Sequence, residues 1–185
     1  MVRRMNREDC VLFSGAATGA EETFGECAER YGIQEVNFTF EGHTDARTRG
    51  LRVLTADELR HGDVSLGYVS QLMDRRFHDT NLFKKVLQSV WHQINAGREV
   101  FVVGRILPNN TIKGGTGWGA EFAKLCNKPL YVFDQDADAW SHWNSGSWQK
   151  VESPRITEPL FVGTGTRFLS EAGRRGIEGL FERSF

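Results

Sequence analysis

The chain is poor in cysteine, has no excess of charge of either sign and contains no long apolar run. Each lack removes a class of protein. The three cysteines, Cys10, Cys27 and Cys126, form no CxxC pair and are odd in number. Both facts argue against a disulfide framework and against a zinc site. They read as small buried hydrophobes in a reducing compartment. Twenty-three basic residues are balanced by 24 acidic ones, a net charge of −1. Non-specific DNA or RNA binding needs a basic surface, so nucleic acid is not an expected partner. A local basic patch can still hold one or two phosphates. No apolar stretch approaches the ~20 residues of a membrane span. The charged N-terminal segment MVRRMNRED lacks the apolar centre of a signal peptide. The expectation is a cytoplasmic protein with no membrane partner and no bound metal.

What is present is globular. The 185 residues are 39% hydrophobic and 25% charged, which suits one folded domain spanning 1–185 with a sizeable core. Five short apolar runs read as strands: Val11–Ser14, Glu35–Phe40, Glu99–Ile106, Leu130–Asp134 and Leu160–Gly163. Several are continuous rather than alternating, as in parallel strands covered on both faces.

Helical patterns lie between them. Phe24, Cys27, Ala28 and Tyr31 repeat at helical spacing, with Gly32 as the stop. Phe83, Val86, Leu87, Val90, Trp91 and Ile94 form a longer stripe ended by Gly97. Thr55 and Glu58 have capping-box spacing for a helix starting at Ala56. Val64 to Met73 is amphipathic, and a last helix runs from Leu169 to Arg183, packing on the sheet beside the first strand. Strand–helix alternation predicts an α/β, Rossmann-like, doubly wound and mostly parallel sheet. Its ligands would bind beyond the carboxyl ends of the strands. Asp138 to Lys150, with Trp140, Trp143 and Trp148 among Ser, Asn and Gly, breaks the alternation. It reads as a hairpin or ordered loop covering one edge, its tryptophans either packing or walling a ligand base.

Three glycine-rich turns follow the apolar runs. The first is Ser14-Gly15-Ala16-Ala17-Thr18-Gly19-Ala20, after Val11-Leu12-Phe13. The second is Gly114-Gly115-Thr116-Gly117-Trp118-Gly119-Ala120-Glu121. The third is Gly163-Thr164-Gly165-Thr166-Arg167. Glycine lets backbone N–H groups approach a ligand, and a helix N-terminus adds unpaired donors and partial positive charge. Together they attract phosphate. Thr18, Thr116, Thr164 and Thr166 could add hydroxyl donors. Tight packing of helix on strand also needs glycine, but three such turns at one sheet edge point to an anionic ligand.

Other candidates are weaker. His43, His61, His78, His92 and His142 show no ligand spacing. His43 and Asp45, followed by Arg47 and Arg49, read as a solvated loop, with phosphate contact as the alternative to a metal site. Glu121 is placed in the first turn of its helix, where the dipole favours a carboxylate. Arg75 and Arg76 read as a solvated helix end. No GxxxxGK[ST] loop, GxSxG elbow or HExxH is present.

The turns carry a family resemblance. Gly114 to Glu121 resembles the GGxGTxxE motif of the LOG phosphoribohydrolases. Met73-Asp74-Arg75-Arg76 resembles their Met-x-x-Arg element, with Arg76 at the arginine. Ser14 to Ala20 resembles the SGGAxGxD turn of the DprA and YpsA branches of the same SLOG superfamily. The Gly163–Arg167 turn comes last where ordinary members have it first. The chain thus resembles the circularly permuted YpsA-like family, also described as molybdenum carrier proteins.

The resemblance implies a nucleotide or nucleotide-derived ligand, with molybdenum cofactor as one candidate, and self-association as a dimer or tetramer. Carried over, Glu121 and Arg76 would be the catalytic pair of a nucleoside 5′-monophosphate N-glycosidase. Two departures bear on hydrolysis. Trp118 stands at the motif's threonine, and Arg105 to Lys113 separates strand from glycines, with Pro108-Asn109-Asn110 as a hairpin tip. A sensor or carrier is therefore the leading expectation and the hydrolase the alternative.

Overall fold

A computed structural model describes residues 5–76 and 80–185. His78 and the first four residues of the N-terminal segment lie outside them. Eight strands form one sheet in the order β3-β2-β1-β8-β4-β5-β6-β7. They are β1 (Val11–Ser14), β2 (Gln34–Phe40), β3 (Leu51–Leu54), β4 (Glu99–Gly104), β5 (Leu130–Asp134), β6 (Ala139–Asn144), β7 (Ser147–Val151) and β8 (Leu160–Gly165). The strands from β3 to β5 in that order are mutually parallel, and β6 and β7 add an antiparallel hairpin at one edge. This is the expected mostly parallel, doubly wound α/β sheet.

Among the described residues six α-helices accompany the sheet: α1 (Ala20–Arg30), α2 (Ala56–Leu59), α3 (Asp63–Met73), α4 (Asn81–Ala96), α5 (Thr116–Leu125) and α6 (Glu171–Ser184). Strand side chains alternate between two cores. Leu12, Phe101, Val103 and Phe161 pack with Phe24 of α1 and Phe181 of α6. Val100, Val102 and Val162 pack on the other face with Leu87 and Ile94 of α4, Phe122 of α5 and Leu66 of α3. Every residue of β4 is buried, which accounts for its unbroken apolar run. The helix after β1 covers one face and the helix after β4 the other. The winding therefore reverses at β8, between β1 and β4. Such a reversal opens a crevice at the carboxyl ends of the strands.

The expected strands are all present, β1 and β5 with the expected ends and β2, β4 and β8 with one end shifted. β8 runs on to Gly165 and is central, paired with β1 and β4. β4 stops at Gly104, and Arg105–Lys113 turns back through an Ile106–Ile112 bridge, the anticipated hairpin excursion. β3 has no counterpart in the sequence reading, because its four residues include Arg52 and only Leu54 is buried. Thr55 forms the capping box with Glu58. α6 packs over β4 and β5 and beside α1, reaching Phe161 of β8 through Phe181, and is not beside β1 as expected. Cys10 and Cys27 are buried, but Cys126 is exposed, contrary to expectation, because it lies just past the end of α5. Among the described residues no helix is long and apolar enough to cross a membrane.

Candidate functional site

The first and third glycine turns meet. Gly19 has φ +97°, and a Cβ there would lie 2.6 Å from the Thr166 carbonyl and 2.7 Å from the Arg167 backbone. That approach lets Ala20 N–H, first in α1, donate to Thr166 O at 3.0 Å. Ser14 Oγ donates to Gly163 O at 2.6 Å. Glu21, one residue into α1, turns back over the turn. Its Oε2 accepts from Ala17 N–H at 3.1 Å and its Oε1 from Thr164 Oγ1 at 2.7 Å. A Cβ on Gly15 would meet Gln93 of α4 and lie 2.7 Å from Glu21 Oε2, so glycine here makes room for the carboxyl group. Burial pushes the Glu21 carboxyl up from its ordinary range; hydrogen bonds from Thr164, Ala17 and Gln93 and the charge of His43 pull it down only in part. Ala16 holds φ +56°, and its carbonyl accepts from Ala46 N–H at 2.7 Å.

Thr166 is similarly engaged, its N–H donating to Val103 O and its Oγ1 accepting from Phe168 N–H. Gly163 packs on the Phe24 ring and Gly165 on the Val103 backbone. Of the residues proposed for phosphate at these two turns, Ser14, Gly15, Ala16, Gly163 and Thr164 are buried, while Thr18 and Arg167 are exposed. The donors best placed for an anion are largely taken by the chain itself.

The second turn differs. Only β8 separates β4 from β1, so the two strands that lead to these turns lie about 10 Å apart. Gly114 has φ +71° with open space where a Cβ would be. Gly115 caps α5, and Gly114 and Gly115 are exposed with Thr116 half-buried. Gly117 lies under the Ile112 carbonyl, where a side chain would clash, and 2.6 Å separates its notional Cβ from Arg75 Nη1. Arg75 bolts the excursion down, donating from Nη1 to Ile112 O at 2.9 Å and from Nη2 to Thr111 Oγ1 at 2.8 Å. A cavity of about 410 Å³ opens here, lined by Arg75, Arg76, Phe83, Gly114, Gly115 and Trp118. Two guanidinium groups, two aromatic rings and a helix N-terminus thus converge on one space. A second cavity of about 360 Å³, between α6 and the β6–β7 hairpin, is lined by Trp140 and by Asp138 and Lys150 at the ends of the tryptophan segment, but by none of the glycine-turn residues nor by Arg76 or Glu121.

Arg76 lines the cavity, but Glu121 does not. α5 begins at Thr116, so Glu121 falls in its second turn and not, as expected, in its first. Its Oε1 takes a hydrogen bond from Lys124 Nζ at 2.7 Å, and no ion pair or hydrogen bond joins it to Arg76 among the described residues. Lys124 Nζ also donates to Asn110 O and sits 3.8 Å from the Trp143 ring centre and 5.2 Å from that of Trp148. Trp148 Nε1–H donates to the same Asn110 carbonyl. These two tryptophans therefore hold Lys124 and the excursion together. Trp140 packs in the core against Phe101 and Phe133. The packing reading of the tryptophan segment fits these contacts, and none of the three lines the cavity beside the second turn.

The His43 loop is exposed at Thr44, Ala46 and Thr48, as expected of a solvated loop, but its His43, Asp45, Arg47 and Arg49 side chains are engaged by the chain. His43 Nδ1 lies 2.6 Å from Asp45 Oδ1, which also accepts from Thr39 Oγ1 at 2.7 Å. Arg47 and Arg49 both donate to the fully buried Glu35 carboxylate, and Arg47 also to Glu29. Those arginines anchor the loop to β2 and are spent as phosphate ligands. Among the described residues no three His, Cys, Asp or Glu side chains group as a cation site.

No protein-family model, curated protein or solved structure matches the chain. The functional argument therefore rests on the site's own chemistry. Sequence reasoning passed over Glu21, Gln93, Arg75, Phe83 and Lys124 as site residues. Only Arg75 carried a visible signal, as the neighbour of Arg76.

Proposed function

We propose that the chain binds a nucleotide or a nucleotide-derived, phosphate-bearing ligand at the second glycine turn, as a sensor or carrier. The observation that carries this is the cavity shared by Arg75, Arg76, Gly114, Gly115, Phe83 and Trp118. The N-terminus of α5 offers positive potential and the backbone at exposed Gly115 and half-buried Thr116 to a phosphate, while Gly117 and Trp118 N–H already donate to Gly114 and Gly115 O. Arg76 supplies a second positive contact, because Arg75 already holds the excursion. Half-buried Phe83 offers an apolar face to a planar base or pterin, over a floor formed by the buried Trp118. A molybdenum cofactor presents the same two handles, phosphate and pterin, and belongs in the ligand panel with purine nucleotides.

The test is thermal denaturation of ligand-free protein with nucleoside mono- and diphosphates, ADP-ribose derivatives and pterin phosphates. A ligand at about a hundred times its Kd adds roughly 2.7 kcal/mol. At about 2–4 °C per kcal/mol the Tm should rise by about 5–10 °C. Arg76→Ala should weaken binding about 10–100-fold through one lost charge-assisted bond, without lowering the Tm of the free protein. No shift with any member of the panel would overturn the reading.

A phosphoribohydrolase is the second reading, favoured by the position of Arg76 on the cavity wall. Its expected carboxylate, Glu121, is engaged by Lys124 one turn away. Free base should therefore not rise above background during long incubation with nucleoside monophosphates. Multiple turnovers that disappear in Glu121→Gln would reverse this ranking. Glutamine is the better substitute than alanine, because it leaves a partner for Lys124.

A further inference from the structure

Helix α3 is apolar on both sides. Between Asp63 and Asp74 it carries no charged residue, in a chain that is 25% charged. Leu66, Val69 and Met73 are buried against α4 and α5. On the opposite side Val64, Tyr68 and Leu72 are 87%, 53% and 56% exposed. Their spacing of four residues sets them on one ridge along the helix. A helix with apolar residues all round belongs in an interior, and depletion of charge marks the core of an interface. The stripe on α4 is the other candidate for self-association, but Leu87 and Ile94 are buried within the subunit and Phe83, Val86, Val90 and Trp91 are half-covered.

We propose that the Val64–Tyr68–Leu72 ridge is covered by the same ridge of a second copy of this chain, in a two-fold dimer with antiparallel α3 helices. The ridge is self-complementary about Tyr68. In an antiparallel pair Tyr68 meets its equivalent, and Val64 at one end meets Leu72 of the other copy, as an isologous contact requires. Gly67 lies beside the ridge with no atom within 4 Å of where a Cβ would stand, leaving room for the partner's side chains. Half-buried Ser65 and exposed Gln71 are neighbours that put no charge into the contact. The three side chains expose on the order of 350 Å². Pairing two copies would bury about 700 Å² of apolar surface, the apolar share expected of an interface near the lower end of the standard size. Leu72 lies three residues before Arg75, so the contact runs up to the rim of the cavity beside the second glycine turn.

Light scattering and sedimentation of the full chain test this. Wild type at tens of micromolar should show the mass of two 20.9 kDa chains. Tyr68→Arg should give a monomer, with the dimer constant weakened at least ~100-fold, and an unchanged circular dichroism spectrum. Phe168→Arg, an exposed aromatic outside α3, should leave the dimer intact. Tyr68→Cys, in a Cys126→Ser background that removes the exposed thiol, should form an intermolecular disulfide on mild oxidation. This cross-link reports the two-fold arrangement even if the arginine variant folds poorly. A wild-type mass of one chain at about 100 µM, a dimer that survives Tyr68→Arg, or a dimer in which Tyr68→Cys does not cross-link would each overturn the proposal.

Discussion

The turn after β1 and the turn before α5 look alike as sequence and differ as chemistry. Both are rich in glycine, both end at a helix N-terminus, and both lie at the carboxyl edge of the sheet. In the first, Ala17 N–H is held by the chain's own carboxylate, Glu21, and Ala20 N–H by Thr166 O. In the second, Gly114 and Gly115 are exposed on a cavity that Arg75, Arg76 and Phe83 also line, while Gly117 is packed under the Ile112 carbonyl. A glycine-rich turn creates donors, but whether they remain for a ligand depends on which side chain turns back over them. Glu21 plays that part at one turn. At the other, Arg75 turns towards carbonyls, Gly117 and Trp118 N–H close onto Gly114 and Gly115 O, and Gly114 and Gly115 themselves stay exposed.

If the first turn is structural and the second serves the ligand, their glycines should respond differently to a methyl group. Gly19 has φ +97° and ψ −120°, a region reserved for glycine, and its notional Cβ meets the backbone of Thr166 and Arg167. Gly19→Ala should cost about 3 kcal/mol or more, a Tm fall of about 6–12 °C. Gly114→Ala meets no atom within 4 Å and strains only φ, so it should cost about 1 kcal/mol while weakening the ligand. Equal losses in urea unfolding would erase the distinction.

A second contrast lies within α5, between its open N-terminus and the covered pair one turn on. Glu121 and Lys124 side chains are 11% and 12% exposed. Lys124→Met would leave the carboxylate buried without its cation and should cost about 2–4 kcal/mol. Adding Glu121→Gln should recover more than half of that loss, since the uncompensated charge is gone. A single variant as stable as wild type would mean that Glu121 is free for another task.

The fold was legible because parallel strands and their helices advertise themselves. Val100 to Val103 must be apolar on both faces, and Phe24, Cys27 and Ala28 must share one. β3 was not legible, since an edge strand with one buried residue makes no pattern. The site was legible only in part. Glycines at strand ends mark where the backbone can approach a ligand, so the edge and the Gly114–Gly115 cradle could be read. Which donors the protein consumes is decided by residues distant in sequence: Thr164 and Gln93 beside Glu21, Asn110, Trp143 and Trp148 around Lys124. No local spacing encodes those meetings. The placement of Glu121 failed for a local reason, because the glycines belong to the helix itself and α5 starts five residues before it.

The smallest predicted effect tests whether Glu21 acts as an internal anion in the first turn. Burial raises its carboxyl above the ordinary range in the folded chain. A group raised on folding contributes stability that is fully present below its unfolded value and is lost as pH rises through its folded value. Glu21→Gln keeps one acceptor oxygen for Ala17 N–H and an NH2 that can donate to Thr164 Oγ1, and has nothing to titrate. The stability of wild type relative to Glu21→Gln should therefore fall between acid and neutral pH, and then level off once Glu21 is ionised in both states. Glu99 is also raised by burial, though bonded by Thr157 and Glu158 N–H, but it is common to both proteins and cancels in the difference. His43 faces Glu21 and favours its ionised form, so repeating the series in a His43→Ala background should deepen the fall. Urea unfolding of the matched pair across this range gives the difference directly. A flat difference would mean that the carboxylate ionises in the turn without penalty. In that case its hydrogen bonds from Ala17 and Thr164 would suffice to hold a negative charge there, and the first turn would regain its standing as an anion site equal to the second.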